Sequence, residues 1–422
     1  MSEEHNSVSL LAPFRVLDLT DEKGFLCGKV LGDLGADVIK VEKPGGDPAR
    51  RIGPFYHDEV DVEKSLYWFA FNMNKRGITL NIETAGGREV FKRLVKNADF
   101  VIESFPPGYM DRLGLGYSAL GEINPRIIMT SITPFGQTGP YKDYKGSDIV
   151  GMAMSGLMYL IGNADRPPVR ISFPQVYLHA GVEGAVGSMV AHYYREITGE
   201  GQHVDVSIQE SMIIVTDNIQ MYWDMNKVHV HRAGPGFDRP LGGVFQPGIR
   251  KCKDGYVCFL LMGGLIGAGS SQGLVGWMNE EGMLPDFMKE VDWAKWDWAA
   301  LDDKAREVLR RMPEAVDNFL MTRTKAEVLE EGVKRRIMIY PVNTVKDIFE
   351  NPQLKARDFW QEVEHPELGT TITYPGSFVK TAENPWRGQR APLISEHNAE
   401  IYEKELGFSR EELVALKQGG II

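Results

Sequence analysis

An α/β fold built on an open parallel sheet is predicted for this chain, and three observations predict it. Strand and helix signals alternate over roughly the first 135 residues. The first two strand signals are separated by about one ten-residue helical stretch, the spacing of a βαβ unit, whose strands run parallel. The 422 residues are 43% hydrophobic and 25% charged, which suits a soluble globular protein long enough for two domains.

The elements follow in order. Residues 15–20 form a short strand. Residues 24–34 form a helix with Leu26, Val30, Leu31 and Leu34 on one face. Residues 36–42 form the second strand. Further strands are expected at 77–82, 99–104 and 126–133, with a helix over 86–97. Such a sheet holds its ligand beyond the carboxyl ends of its strands. From 148 to 198 the pattern turns helical and rich in small residues. A strand at 203–208 and a helix from Gln209 follow.

Residues 228–275 read as loops around a short sheet at 255–261. The five glycines between 263 and 273 read as a mobile lid or a plain surface turn, because glycine says only that the backbone is permissive. Amphipathic helices are expected over 296–311 and 325–336. An extended segment follows at 340–342, and the tail from Pro385 ends in a helix over 410–417. The sequence shows no internal repeat and no low-complexity tract.

A net charge of −11 argues against a nucleic-acid partner, since such proteins need surplus Lys and Arg to displace counterions. Cys27, Cys252 and Cys258 are too few and too scattered for a disulfide framework or a zinc site, and read as packed side chains. The polar first eight residues carry no signal core, and no run reaches the roughly 20 apolar residues that span a bilayer. The chain reads as cytoplasmic.

Cations gather next to the turns of the α/β segment: Lys43, Arg50 and Arg51, Lys75 and Arg76, Arg112, Lys142 and Lys145. In an acidic protein, a set collected at strand ends points to a phosphorylated ligand, although any one of them alone is more simply a solvated charge. No Gly-x-Gly-x-x-Gly follows the first strand, so a dinucleotide pyrophosphate site is not expected. A Walker sequence, a Gly-x-Ser-x-Gly elbow and a zinc-spaced His pair are absent too. His179 and His192 read as packing residues.

The run Val16-Leu17-Asp18-Leu19-Thr20, then 34–45 (Leu-Gly-Ala-Asp-Val-Ile-Lys-Val-Glu-Lys-Pro-Gly), resembles the opening of the class III CoA-transferases, the formyl-CoA and carnitine CoA-transferase type. So do Asn74-Lys75-Arg76, Leu80-Asn81, 99–108, 122–126, 199–207 and the tail at 391–393 and 396–398, which together reach across nearly the whole chain.

The resemblance implies a large Rossmann-like domain drawn from both chain ends (1–225 and 335–422), a smaller α+β domain between (226–334), and an interlocked dimer. It implies a coenzyme A thioester as substrate, with no covalently bound cofactor and no metal. It implies ligand contacts at Lys43, Leu80, Asn81, Ser104, Phe105, Arg112 and Lys145. The turn before the first helix departs from the family: it is one residue shorter, and Glu22 and Lys23 stand where small residues are usual.

The larger departure is catalytic. The family's nucleophile is an Asp four residues before a glycine, in a frame that begins at a Pro-Pro-like turn. Pro167-Pro168 and Gly181 keep that frame, and Tyr177 fills the slot. Transfer by this class needs a carboxylate that attacks the donor thioester, forms a mixed anhydride, and then carries CoA as an acyl thioester for the acceptor acid to attack. A phenol has no carbonyl on which to hold CoA, and with a pKa near 10 it is mostly protonated. The family's racemase branch is not matched either, because Ser147 stands where its His would be.

The reading taken is a subunit of a heteromeric CoA-transferase, acting on an acyl-CoA such as succinyl-CoA and on an organic acid, an aromatic one included. A paralogous subunit supplies the Asp, and the chain alone is inactive. The family contains two-gene members of this kind, such as benzylsuccinate CoA-transferase. Two alternatives stand beside it: a self-sufficient enzyme with a displaced carboxylate, Glu183 or Asp165, and a non-enzymatic CoA-binding or scaffolding protein.

Overall fold

The computed structural model describes residues 9–216, 219–236, 246–295, 301–381 and 388–422. The chain divides into two compact units. The larger comprises residues 1–157, 171–217 and 352–422, and the smaller 158–170 and 218–351.

Six strands form the sheet of the larger unit: β1 (Arg15–Leu19), β2 (Asp37–Glu42), β3 (Lys75–Thr79), β4 (Phe100–Glu103), β5 (Ile128–Thr133) and β6 (His203–Ser207). Their order is β3-β2-β1-β4-β5-β6 and every pairing is parallel. Strand order therefore reverses between β1 and β4. A doubly wound sheet opens its ligand crevice at that reversal, outside the carboxyl ends.

Alternation along the strands sends Leu17 and Leu19, Ile39 and Val41, and Ile78 to one face. There they pack with Val90, Phe91 and Leu94 of the helix α2 (Ala85–Val95). The helix α1 (Phe25–Asp33) crosses from β1 to β2 on the other face, beside the long helix α4 (Val176–Thr198). Two glycines allow these approaches. A Cβ on Gly28 would lie 2.3 Å from the Asp18 carboxylate, and one on Gly181 would lie 2.8 Å from the Cβ of Leu26.

Three of the expected ligand cations prove to be structural. β3 begins at Lys75, two residues earlier than its apolar run suggests, so Lys75 and Arg76 belong to the strand's first residues. Lys75 is buried and donates to Asp18 at 2.8 Å, to the Phe25 carbonyl at 3.0 Å and to Asn72 at 3.0 Å. Arg76 is paired with Asp37, Glu400 and Glu405. Arg50 is fully buried: it holds Glu42 with two bonds of 2.7 Å, reaches Glu63 at 2.6 Å and lies 3.9 Å over the Trp68 ring. A buried guanidinium needs such partners, because desolvation without them is costly.

The same unit carries an antiparallel hairpin, Trp360–His365 with Thr370–Pro375, which the sequence reading did not pick out. Its Val363 and Tyr374 pack with Phe25, Trp68 and Phe69.

The smaller unit has its own core around Phe259, Trp277, Leu309 and Phe319. A three-stranded antiparallel sheet, Ile249–Cys252, Gly255–Phe259 and Ile339–Pro341, lines it. The segment expected as a lid or a surface turn is instead a helix, Gly264–Glu280. Two of its glycines serve close packing: a Cβ at Gly267 would meet Met262 at 2.1 Å, and one at Gly273 would meet the Arg335 carbonyl at 2.8 Å. Trp296, the expected start of the next helix, lies outside the described residues, as does Pro385. The helix itself runs Asp303–Leu320.

Candidate active site

The crevice lies at the reversal between β1 and β4. Leu19 ends β1 and Asp21 follows it, Lys43 and Pro44 follow β2, Leu80 and Ile82 follow β3, and Ser104 and Phe105 follow β4. They enclose about 390 Å³. Four of the seven expected contacts, Lys43, Leu80, Ser104 and Phe105, thus come together on its wall.

Glu83 organises the rim. It accepts from Lys43 at 2.9 Å and from the Tyr109 hydroxyl at 2.7 Å, and these two bonds hold its carboxyl below the usual range. Tyr109 stacks on Phe105 with ring centroids 4.6 Å apart.

The other three expected contacts do not line the crevice. Asn81 adjoins it, giving its backbone N–H to Ile421 at 2.7 Å and accepting the Glu83 N–H at 3.1 Å. Arg112 is exposed, 6.0 Å from the Tyr109 ring. Lys145 is exposed in the loop beyond β5.

Carboxylates dominate the inner end, a feature the sequence reading missed. The Ser104 hydroxyl donates to the Asp21 carboxylate at 2.7 Å and accepts the Asp21 N–H at 2.9 Å, so it is already engaged. Asp21 also pairs with Lys23. Glu103 is buried; burial lifts its carboxyl to about 7, opposed by hydrogen bonds from Ser131 and the Phe105 N–H. Burial likewise raises Asp47, although the Lys40 ammonium works against it. The signal available in the sequence was the pair Asp21-Glu22 directly after β1, where charge is unusual beside a buried strand end.

Tyr177 sits in the first turn of α4. Asp148, which opens the helix α3 (Asp148–Met154), caps that turn: its carboxylate accepts the Gln175 N–H at 2.8 Å and the Val176 N–H at 3.2 Å. Burial first, then the carboxylates of Glu22, Asp21 and Asp148, push the Tyr177 phenol well above its ordinary value. Tyr67 is raised by burial and by the same Glu22. As a nucleophile Tyr177 is therefore poorer than a free phenol.

Of the two carboxylates expected as substitutes, Glu183 stands on Tyr177's own helix. Six residues on, Glu183 is rotated about 240° round the helix and lies about 9 Å along it, so it points from another face. Asp165 is exposed and belongs to the smaller unit. Ser147, also exposed, adds no acid or base.

The parallel order β3-β2-β1-β4-β5-β6, with a crevice at its reversal, is the doubly wound, Rossmann-like architecture. Residues 11–398 match the family model described as CoA-transferase family III, and the chain belongs to that family. It is 37% identical over 421 residues to the succinyl-CoA:(R)-benzylsuccinate CoA-transferase subunit BbsE of Thauera aromatica, covering 97% of each chain. It is 33% identical to the formyl-CoA:oxalate CoA-transferase of Streptomyces avermitilis, covering 98% of this chain and 99% of the other. Among solved structures, a CAIB/BAIF family protein from Brucella suis superposes with a TM-score of 0.79 at 30% identity, over 93% of this chain and 98% of that one.

Proposed function

We propose that this chain is the non-nucleophilic subunit of a heteromeric class III CoA-transferase. The assembly moves CoA from an acyl-CoA such as succinyl-CoA to an organic acid, and a paralogous subunit supplies the carboxylate that carries CoA between them. The observation behind this reading is Tyr177: the family's nucleophile position holds a half-buried phenol pushed upward by burial and by its acidic neighbours. Thioester exchange through an anhydride has no equivalent on a phenol. The Thauera aromatica relative, itself a subunit by name, supports the same reading.

A surface suited to a partner accompanies it. Val182, Val186, Val190, Tyr193 and Ile197 are exposed on α4 at helical spacing, a continuous apolar stripe on one face. Stripes of this kind mark association surfaces. The interlocked dimer of the family supplies such a partner. A cytoplasmic setting fits too, since among the described residues no helix is long and apolar enough to cross a membrane.

One observation favours a second reading, a self-sufficient enzyme. Glu22 is a half-buried carboxyl acting on both Tyr67 and Tyr177, which makes it a better candidate than Glu183 or Asp165. The two readings part in a transfer assay between succinyl-CoA and a panel of acids. The first expects no product from the purified chain and full transfer after co-expression with a paralogue bearing the Asp. Product from the chain alone, lost in Glu22→Gln, would establish the second.

A further inference from the structure

The turn between β1 and α1 links this chain's crevice to the nucleophile position: Asp21 lines the crevice, and the carboxylates of Asp21 and Glu22 both act on the Tyr177 phenol. Asp21 stands at the carboxyl end of the central strand, and Ser104 at that of its neighbour β4. Their two hydrogen bonds, 2.7 and 2.9 Å, span the point where strand order reverses. That is where a doubly wound sheet normally opens to its ligand. The other side of the turn is pinned as well: the Asp21 carbonyl accepts the Gly24 N–H at 3.0 Å and the Phe25 N–H at 3.2 Å, which fixes it to the start of α1.

Glu22 projects from this pinned turn. No other residue among those described holds its carboxylate by a hydrogen bond or an ion pair. The one neighbouring ammonium, Lys23, is paired with Asp21. Of the acids that line the crevice, Asp21 is paired with Lys23 and Glu42 with Arg50, and Asp47 lies 3.6 Å from Lys40. Glu22, next to Asp21 in the turn, has no such partner among the described residues, and it acts on the phenol at the nucleophile position.

The ligand for such a crevice is anionic at its phosphates, at a departing thiolate and at the acceptor carboxylate. A carboxylate facing those groups repels them, and a side chain in a shortened turn fills space that small residues would leave open.

We propose that the Asp21–Ser104 clasp and Glu22 form a plug that leaves the outer crevice open to the nucleotide end of CoA and excludes its thioester arm. The inference rests on the reading above and deepens it: the chain has lost the nucleophile and has also closed the path by which a thioester would reach that position. The outer wall keeps what a nucleotide needs, an apolar platform of Leu80 and Phe105 beside the Lys43 ammonium.

The test is calorimetry on the purified full chain with two probes, CoA and phosphoadenosine diphosphate, its nucleotide end without the arm. An arm that makes no contact adds nothing, so the wild type binds the two within about twofold of each other. In Asp21→Ala/Glu22→Ser the affinity for CoA rises about tenfold while that for the nucleotide stays level. Wild-type CoA binding tenfold tighter than the nucleotide, or no gain in the variant, overturns the plug. Failure of both probes to bind either protein overturns it too. Where the double variant does not fold, the wild-type ratio together with Glu22→Gln decides. A transfer assay on the same preparations reads the parent proposal separately: turnover by the wild-type chain alone would refute partner dependence whatever the binding ratio.

Discussion

Asp148 caps the turn that carries Tyr177. Its carboxylate accepts the Gln175 N–H at 2.8 Å and the Val176 N–H at 3.2 Å. The phenol thus belongs to a fixed helix start. Tyr177→Phe removes only the hydroxyl and leaves this cap in place, so it is expected to change stability by no more than about 1 kcal/mol and to leave transfer by the assembled enzyme within about twofold. Urea unfolding and steady-state rates on the complex measure both. A hundredfold loss of rate would return Tyr177 to the chemistry.

Gly181 lets α4 lie against α1. A Cβ there would sit 2.8 Å from that of Leu26 and 3.2 Å from the Cys27 nitrogen, a backbone atom that cannot swing aside. Gly181→Ala should therefore destabilise the chain by about 1–3 kcal/mol, the range for overpacking a closed contact. Thermal unfolding of the two proteins side by side checks this; an unchanged midpoint would mean that the helices separate readily.

Removing the Lys75 ammonium isolates a buried charge. Asp18 is fully buried, and although burial would raise its carboxyl, Lys75 and Lys40 outweigh that and hold it low. Lys75→Met leaves Asp18 with Lys40 3.9 Å away and the Thr20 hydroxyl at 2.6 Å. The expected loss is about 3–5 kcal/mol, since the remaining charge stays desolvated. Asp18→Asn added to Lys75→Met should recover part of it, and denaturant midpoints of the single and double variants give the coupling.

Glu103 makes stability depend on pH in an unusual sense. Its folded value of about 7 lies above its ordinary 4.5, with burial as the main cause and Asp21 and Asp111 adding to it. The folded chain then binds this proton more tightly than the unfolded chain. Its contribution is greatest below about pH 4.5, falls as pH rises towards 7, and is level above that. The full swing is about 3 kcal/mol. Glu103→Gln removes the titrating proton, so the difference in stability between variant and wild type should grow in the variant's favour from pH 5 to pH 7.5. A difference that stays constant across that interval would refute the shift.

The parallel sheet was legible because β1 and β2 alternate apolar residues in two faces and a short amphipathic helix lies between them. β3 was placed two residues late because Lys75 and Arg76 look like surface charges, and nothing local reveals that Asp18 and Asp37 lie ready to receive them. Arg50 misled in the same way: its pairing with Glu42 is near in sequence, but its burial over Trp68 depends on the fold. The helix Gly264–Glu280 was read as a lid or a turn because Gly267 and Gly273 permit close contact with Met262 and Arg335, and abundance alone does not separate that from mobility. Lys43 stood out among the cations at strand ends, whereas Leu80, Ser104 and Phe105 were grouped with it only through the family resemblance; all four come together because they follow strands of one parallel sheet. The Asp21–Ser104 clasp was not, since its partners stand 83 residues apart.

Partner dependence predicts that the carboxyl group which carries CoA belongs to the paralogous subunit. Its most direct test is to incubate the co-expressed complex with succinyl-CoA, quench with hydroxylamine, and map by peptide mass spectrometry the side chain converted to a hydroxamate. The expected result is a single hydroxamate on the paralogous subunit and an unmodified Glu22, Asp165 and Glu183 here. A hydroxamate on Glu22, or on any other acid of this chain, would contradict it.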